Sequence, residues 1–468
     1  MKKDGTMTHP IASAERPLCV AVVGSGPAGF YAIESLLKAD AQVRIDIFER
    51  LPTPFGLVRS GVAPDHQSIK GVTRIYEKLL ADARVRFFGN VTVGRDITHA
   101  ELRTYYDQVI YAVGAQSDRK MGIPGEDLQG SAPATAFVGW YNGHPDYRDA
   151  QFDLTTERVV VIGNGNVAMD VTRALMESVD ELATTDMADH ALVALRQSQV
   201  KHVVLLGRRG PVQAAFTTPE LKEFGEIHGV DVVLDSGDFV LDEVSTAQLA
   251  NEKVASRNFD VMQEYLQRQP AHSRSIQMQF LWSPVEIVGE NGKVTGVVVE
   301  RNRLVPDGNG GVKAEGTGVR RTIATGLVLR SVGYRSVPID GVPFDDRRGL
   351  FPNRDGRLLD GANGAVVPQC YVVGWAKRGP SGIIGTNKPD SVATVNAMKE
   401  DWPTLSGIAD ELRDGQAVDA LIHSRCATVV SYAGWRCIDV HETAMGNAHG
   451  RPRVKLTNIA DMLNVAKE

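Results

Sequence analysis

Gly24, Gly26 and Gly29 stand at G-x-G-x-x-G spacing directly after the apolar run Val20-Ala21-Val22-Val23. Each glycine has its own use in holding a dinucleotide. Gly24 permits a tight turn, Gly26 lets a pyrophosphate approach the backbone, and Gly29 lets the next helix sit close to the strand. That helix carries Phe30, Ile33 and Leu37 on one face. Its free N–H groups and positive dipole end would face the phosphates. A second strand ends in Glu49, about twenty residues past the last glycine, where a carboxylate accepts hydrogen bonds from ribose hydroxyls.

A second set begins at Val159. The strand Val159-Val160-Val161-Ile162 runs into Gly163-Asn164-Gly165-Asn166-Val167-Ala168, a G-x-G-x-x-A pattern, and the helix after it has Val167, Val171, Ala174 and Leu175 on one face. Its next strand, residues 203–206, ends in Gly207-Arg208-Arg209-Gly210. This difference discriminates the two sites. A carboxylate at that position repels a 2′-phosphate, whereas arginines hold one through charge-assisted, often bidentate bonds. The first site therefore prefers FAD or NAD, and the second NADP(H).

The surrounding elements suggest how two such folds share one chain. With 468 residues, two or three domains are expected. An apolar content of 43% and a charged content of 23% are ordinary for a globular protein. The net charge of -6 argues against nucleic acid as the main partner, and no apolar run is long enough for membrane insertion. Residues 1–17 contain two lysines but no apolar core, so a loose tail is expected rather than a signal, with Met7 an alternative start. The cysteines, Cys19, Cys370, Cys426 and Cys437, form no C-x-x-C pair. No dithiol, iron–sulfur or zinc motif is present, so no metal is expected, and the usage suits a reducing cytoplasm.

A long Pro- and Gly-punctuated loop, residues 52–66, follows Glu49, and loops of that length inside compact domains are usually functional. Strands are expected over residues 84–93, 108–114, 283–303 and 318–335, the last two separated by a Gly-rich hairpin around residues 307–311. Residues 178–199 read as a polar insertion. The runs Val109–Gly114 and Leu327–Gly333 resemble one another, and both are read as crossings between domains. The expected architecture is α/β, with two nested Rossmann-like dinucleotide-binding domains. A discontinuous FAD-binding domain (18–115 and 332–468) holds an inserted NADP-binding domain (116–331). In the resumed part, a strand at 370–374 leads into the Gly-rich run 375–387, and a helix is expected from about Asp390. N–H groups at that helix start would favour negative charge on a reduced flavin, if the first fold binds one.

The blocks 24–29, 52–70, 109–119, 163–170, 207–220, 375–388 and 450–455 together resemble the adrenodoxin-reductase-type ferredoxin–NADP reductases, especially their bacterial, mycobacterial-like members. They span nearly the whole chain after the tail. The resemblance implies FAD in the first fold and NADPH in the second. It implies that Gly29, Glu49, Leu57 and Val93 contact the FAD nucleotide half or its surroundings; Val91 has the same local character as Val93. Trp375, Gly382, Ile383 and Ile384 would border the flavin. Arg119, Asn164, Gly165, Asn166, Val167, Arg208, Arg209 and Glu220 would contact NADP, with Gly382 shared near the nicotinamide. His66, Glu220 and Glu223 match the family's polar residues near the hydride-transfer region and are the catalytic candidates. On the residues alone, a lone histidine in a loop, as His66 is, is more often a hydrogen-bonded structural residue than a proton carrier. Glu220 and Glu223 read as acids favouring a helix N-terminus.

The implied activity passes a hydride from NADPH to FAD N5, and electrons then leave singly to a separate iron–sulfur ferredoxin. The cofactors carry that chemistry, which accounts for the lack of a nucleophile or triad motif. Docking an acidic ferredoxin on a net-acidic chain calls for a local basic patch. A monomer is expected. Two other readings remain: the electron-entry subunit of a larger complex, like the small subunit of glutamate synthase, and a non-enzymatic NADP-sensing module. The relatives of the former usually carry N-terminal cysteine clusters, whereas here no cysteine precedes Cys19. Replacing Arg208 and Arg209 together by alanine should weaken NADPH binding by a few kcal/mol and leave NADH nearly unchanged. An unaltered preference in a binding titration would place the 2′-phosphate elsewhere.

Overall fold

The computed structural model describes residues 10–39 and 42–467. Of the expected tail, residues 1–9 lie outside the described residues. Ile11 and Ala12 pack against the core of the first sheet, and Arg16 lies 3.5 Å from Asp410.

The first sheet has seven strands, in the order Asn353–Arg354, Arg357–Leu359, Val366–Val372, Gln108–Tyr111, Leu18–Val23, Val43–Glu49 and Val85–Gly89. The last five are parallel. Leu18–Val23 is buried at every position, because a parallel strand covered on both faces has no solvent side and reads as a continuous apolar run. The expected strand over 84–93 is shorter, Val85–Gly89. Asn90 ends it by adopting φ +61°, a turn conformation that asparagine tolerates. The helix Pro27–Leu37 begins with a proline, whose missing N–H costs nothing in the first turn. It buries Phe30, Ile33 and Leu36, with Leu37 half-buried beside them.

The second sheet is wholly parallel, in the order Ser131–Pro133, Leu327–Arg330, Arg158–Ile162, His202–Leu206, Arg274–Gln279 and Val230–Leu234. Its strands lie, in sequence, between those of the first sheet. Where the chain leaves the first sheet and where it returns, Ser117–Asp118 and Tyr334–Arg335 pair antiparallel. The two crossings thus form one short ribbon.

Four further elements differ from the sequence expectation. Residues 283–303 are a hairpin, Trp282–Glu290 with Lys293–Pro306, turning at Asn291-Gly292. Both turn residues have positive φ, 52° and 78°, as the tight hairpin turn favoured by Asn-Gly requires. Val312–Ala324 completes a separate antiparallel sheet. The span 318–335 is therefore divided between that sheet, Leu327–Arg330 of the parallel sheet, and the crossing ribbon. Residues 178–199 hold two helices, Val179–Leu182 and Asp189–Arg196, and set Leu182, Met187, Ala191, Leu192 and Leu195 into the core of the second sheet. The late helix is Asn387–Asp401, three residues earlier than expected.

The carboxy-terminal strap, residues 451–457, grips both sheets' surroundings. Arg451 Nε donates to Thr185 O at 2.9 Å. Lys455 Nζ lies 3.1 Å from Asp186, and Lys70 Nζ donates to the same carboxylate at 2.6 Å. Burial works to raise the Asp186 carboxyl, but the two ammonium groups outweigh it and hold the pKa at about 2. This depressed pKa stabilises the fold above the ordinary aspartate pKa of about 4, and the contribution is lost as pH falls from there toward about 2. Asp186→Ala would leave two buried ammonium groups around an empty space and should cost about 3–5 kcal/mol in urea unfolding. A loss below about 1 kcal/mol would show that the cluster relaxes without it.

Candidate functional site

Both glycine motifs sit between the end of a first strand and the start of a helix. At Gly24, φ is +99° and a Cβ would lie 2.7 Å from Ala112 O; at Gly29 it would lie 2.7 Å from Gly24 O. At Gly163, φ is +124° and a Cβ would lie 2.1 Å from Ser331 O. These three positions are closed to side chains by the protein's own backbone. Gly26 and Gly165 are different. A Cβ there meets nothing within 4 Å, and both have extended backbone with φ -83° and -98° that any residue adopts. The fold itself therefore has no steric need for glycine there, whereas a phosphate against the helix N-terminus does. The residues fit dinucleotides at both places.

Glu49 stands beside the first cradle. Its carboxylate accepts from Ser25 N at 3.1 Å, Ser25 Oγ at 2.6 Å and Leu51 N at 3.0 Å. These bonds aim the acid and leave lone pairs for a ribose. The loop carrying Leu57 folds over the same turn: Phe55 N donates to Ser25 O at 3.0 Å. Leu57 is exposed. Val91 is core, packed with Phe48 and Phe88, whereas Val93 is half-buried at the edge of that cluster.

At the second cradle, Asn164 O accepts from Ala215 N at 3.1 Å, and the Asn166 side chain accepts from Thr217 N at 2.9 Å. Val167 packs against the core. Backbone bonds from Leu281 N to Arg209 O (3.0 Å) and from the Asn302 amide to Arg208 O (2.8 Å) hold the arginine turn. Among the described residues, neither guanidinium has a carboxylate partner. Arg209 is half-buried beside Arg208, and burial and that neighbouring charge both lower its pKa. It lines a cavity of about 770 Å³ with Gln213, Gln248 and Asn251. Arg209 at the cavity wall, with Arg208 next to it in the chain, suits a phosphate dianion. Arg119 lies elsewhere, at a depression of about 550 Å³ with Arg347, Arg348 and Arg378.

Trp375 caps the carboxy-terminal end of Val366–Val372. Its indole N–H donates to Ser381 O at 3.1 Å, and its ring meets Tyr334 at 5.5 Å between centroids. Ile383 is 60% exposed, on the loop with exposed Gly382 and half-buried Ile384. Gly374 comes against the first glycine helix, where its Cβ would lie 2.5 Å from Ala28 Cβ. The Trp375 loop and the first cradle are therefore neighbours. The start of Asn387–Asp401 already holds an acid in its first turn. Asp390 accepts from Gly374 N at 2.6 Å and pairs with Lys377 at 3.1 Å.

His66, Glu220 and Glu223 come together, around a residue the sequence reading passed over. Arg173 is 4% exposed. Its Nε donates to Asp65 at 2.7 Å, and its Nη1 to Glu220 at 3.1 Å and to Glu223 at 2.5 Å. Its Nη2 reaches Asp170 at 2.8 Å and His66 Nε2 at 3.0 Å. His66 Nε2 also lies 3.2 Å from both Glu223 oxygens. Burial lowers the His66 pKa, but the bond to Glu223 reverses this and the net shift is upward. Burial drives Asp170 up to about 7, against the pull of Arg173. The missed signal is a charged i,i+3 pair, Asp170 and Arg173, on the helix after the second glycine motif. Apolar periodicity assigns such residues to solvent.

The four cysteines are unpaired. Burial pushes Cys19 up to about 11 and Cys370 up to about 12, so neither is poised as a thiolate.

A family model described as pyridine nucleotide-disulphide oxidoreductase matches residues 19–236. The chain is similar to the NADPH-ferredoxin reductase FprA of Mycobacterium tuberculosis, 49% identical over 464 residues, covering 96% of this chain and 99% of that protein. FprA of Mycobacterium leprae is 50% identical over 458 residues, covering 95% and 98%. The solved structure described as Mycobacterium tuberculosis FprA in complex with NADPH matches with a TM-score of 0.91 at 48% identity, covering 97% of this chain and 100% of that one.

Gly26→Val should fold with a stability near that of the flavin-free parent yet fail to retain flavin. Gly165→Val should keep flavin and lose NADPH binding. Absorbance after gel filtration and a nucleotide titration check both, and full occupancy in either variant would remove that cradle from the binding site.

Proposed function

The chain belongs to the NADPH–ferredoxin reductase family, and from that premise we propose how its own residues divide the work. It is an FAD-dependent oxidoreductase that passes electrons between NADP(H) and an iron–sulfur ferredoxin. The bound flavin supplies the conversion between two-electron and one-electron transfer.

In the proposed arrangement, Gly24, Gly26 and Gly29 seat the flavin's pyrophosphate and Glu49 takes its ribose hydroxyls. Gly163 and Gly165 seat the second pyrophosphate, with Asn164, Asn166 and Val167 lining its approach. Arg208 and Arg209 take the 2′-phosphate. The observation that carries this reading is the contrast at corresponding strand ends. One end has a carboxylate aimed by three hydrogen bonds; the other has two guanidinium groups without a carboxylate partner among the described residues. Trp375, backed by Tyr334, and the loop with Gly382, Ile383 and Ile384 would wall the reacting rings and exclude water. His66, Glu220 and Glu223 would form the polar edge of that space. Arg119 would contact the nucleotide from the second arginine depression.

The proposed partner is a ferredoxin on a separate chain. Among the described residues no helix is long and apolar enough to cross a membrane. A cytoplasmic setting is proposed on the cysteine usage, which suits a reducing compartment.

Mixing the flavin-loaded protein with NADPH without oxygen should bleach the flavin rapidly. An unchanged spectrum would favour the sensing module instead. Adding ferredoxin and cytochrome c should then give cytochrome reduction that requires ferredoxin. Raising ionic strength should slow that step more than reduction of a small neutral acceptor, because docking opposite charges is screened. Equal salt responses would exclude an electrostatic docking face.

A further inference from the structure

Arg173 offers more contacts than it has hydrogens to fill. Nη2 carries two, yet three acceptors stand within reach: Asp170 at 2.8 Å, His66 Nε2 at 3.0 Å and Asp65 at 3.3 Å. His66 Nε2 has the converse conflict, facing a donor in Arg173 and an acceptor in Glu223 at 3.2 Å. A ring nitrogen cannot accept one bond and donate the other at once. Two arrangements resolve this. When Nε2 is protonated, it donates to Glu223 and Nη2 serves Asp170 and Asp65. When it is not, Nη2 serves Asp170 and His66, and the imidazole proton sits on Nδ1, which lies 3.9 Å from Glu220.

We infer that Arg173 is a positioning residue for electron entry: it clamps the Asp65-His66 turn to the helix Thr218–Phe224 and competes with the proton for His66 Nε2. The inference rests on the functional reading above and adds a residue and a control to it. Arg173 works from the helix Asn166–Met176, so it ties the second glycine motif to the loop that covers the first. Its charge opposes protonation of His66, while Glu223, Glu220, Asp170 and Asp65 favour it. Those five are the charged groups facing the imidazole from its own loop and from the two helices packed on it.

The test is single-turnover reduction of the flavin by NADPH without oxygen, followed from about pH 5.5 to 9 across the range where histidine titrates. It compares the parent with Arg173→Met, Arg173→Lys and Asp65→Asn. Arg173→Met should retain flavin and slow reduction on the order of tenfold to a hundredfold, as a misplaced site does. Its pH limb should move upward by roughly one unit, because a cation beside His66 is gone. Asp65→Asn should move the limb downward, because an anion is gone. Arg173→Lys should hold the limb near the parent's while remaining slow, because one ammonium cannot span four acids. If Arg173→Met fails to fold, the opposite shift in Asp65→Asn with a slow Arg173→Lys still carries the case. Unchanged limbs in all variants, even with slower rates, would reduce Arg173 to a structural ion pair and overturn the inference. A parent flavin that NADPH never reduces would instead overturn the functional reading.

Discussion

Buried ion pairs hold the surroundings of the two parallel sheets in one register. Asp186 stands between Lys70 and Lys455, and Arg173 reaches from the second glycine helix to Asp65. Apolar contact is non-directional and would tolerate sliding of one body on the other. A desolvated ion pair does not, because small displacements leave a buried charge without its partner. Two nucleotide cradles on separate sheets can present their ligands face to face only if that register is kept. The ribbon of Ser117–Asp118 with Tyr334–Arg335 adds a backbone tie at the place where the chain crosses.

The glycines divide into two kinds on this view. Gly24, Gly29 and Gly163 serve the fold, since neighbouring backbone already fills the place of a side chain. Gly26 and Gly165 are not required by the fold, since the protein leaves that space open. One motif therefore holds glycines that the fold requires beside one that it does not, and only coordinates separate them. The same holds for acids. Glu49 is aimed outward by bonds from Ser25 and Leu51, while Glu442 is wholly enclosed and committed to Arg59 and Arg453.

Much of the architecture was legible in the chain because its signals are local. A buried parallel strand is an apolar run, a glycine motif sits at its end, and an acid in one fold and an arginine pair in the other close the next strand. The short Asn291-Gly292 turn was also local and readable, yet it was absorbed into a longer apparent strand. Residues 178–199 misled in a different way. Asp180, Glu181, Asp189 and Arg196 face solvent while Leu182, Ala191, Leu192 and Leu195 fill the core, so average polarity concealed an amphipathic pair of helices.

By itself, the sequence determined the two dinucleotide motifs, the opposite charge at the ends of their second strands, and their nesting, because each depends on residues close together in the chain. Only the tertiary structure decided that Arg173 is the centre of the cluster formed with His66, Glu220 and Glu223, and that Lys70 and Lys455 share Asp186. Those partners lie between 47 and 269 residues apart or come from three separate elements. A charge on a helix reads as solvent-facing until its counter-charges are placed, and Coulomb energy depends on distance in space rather than along the chain.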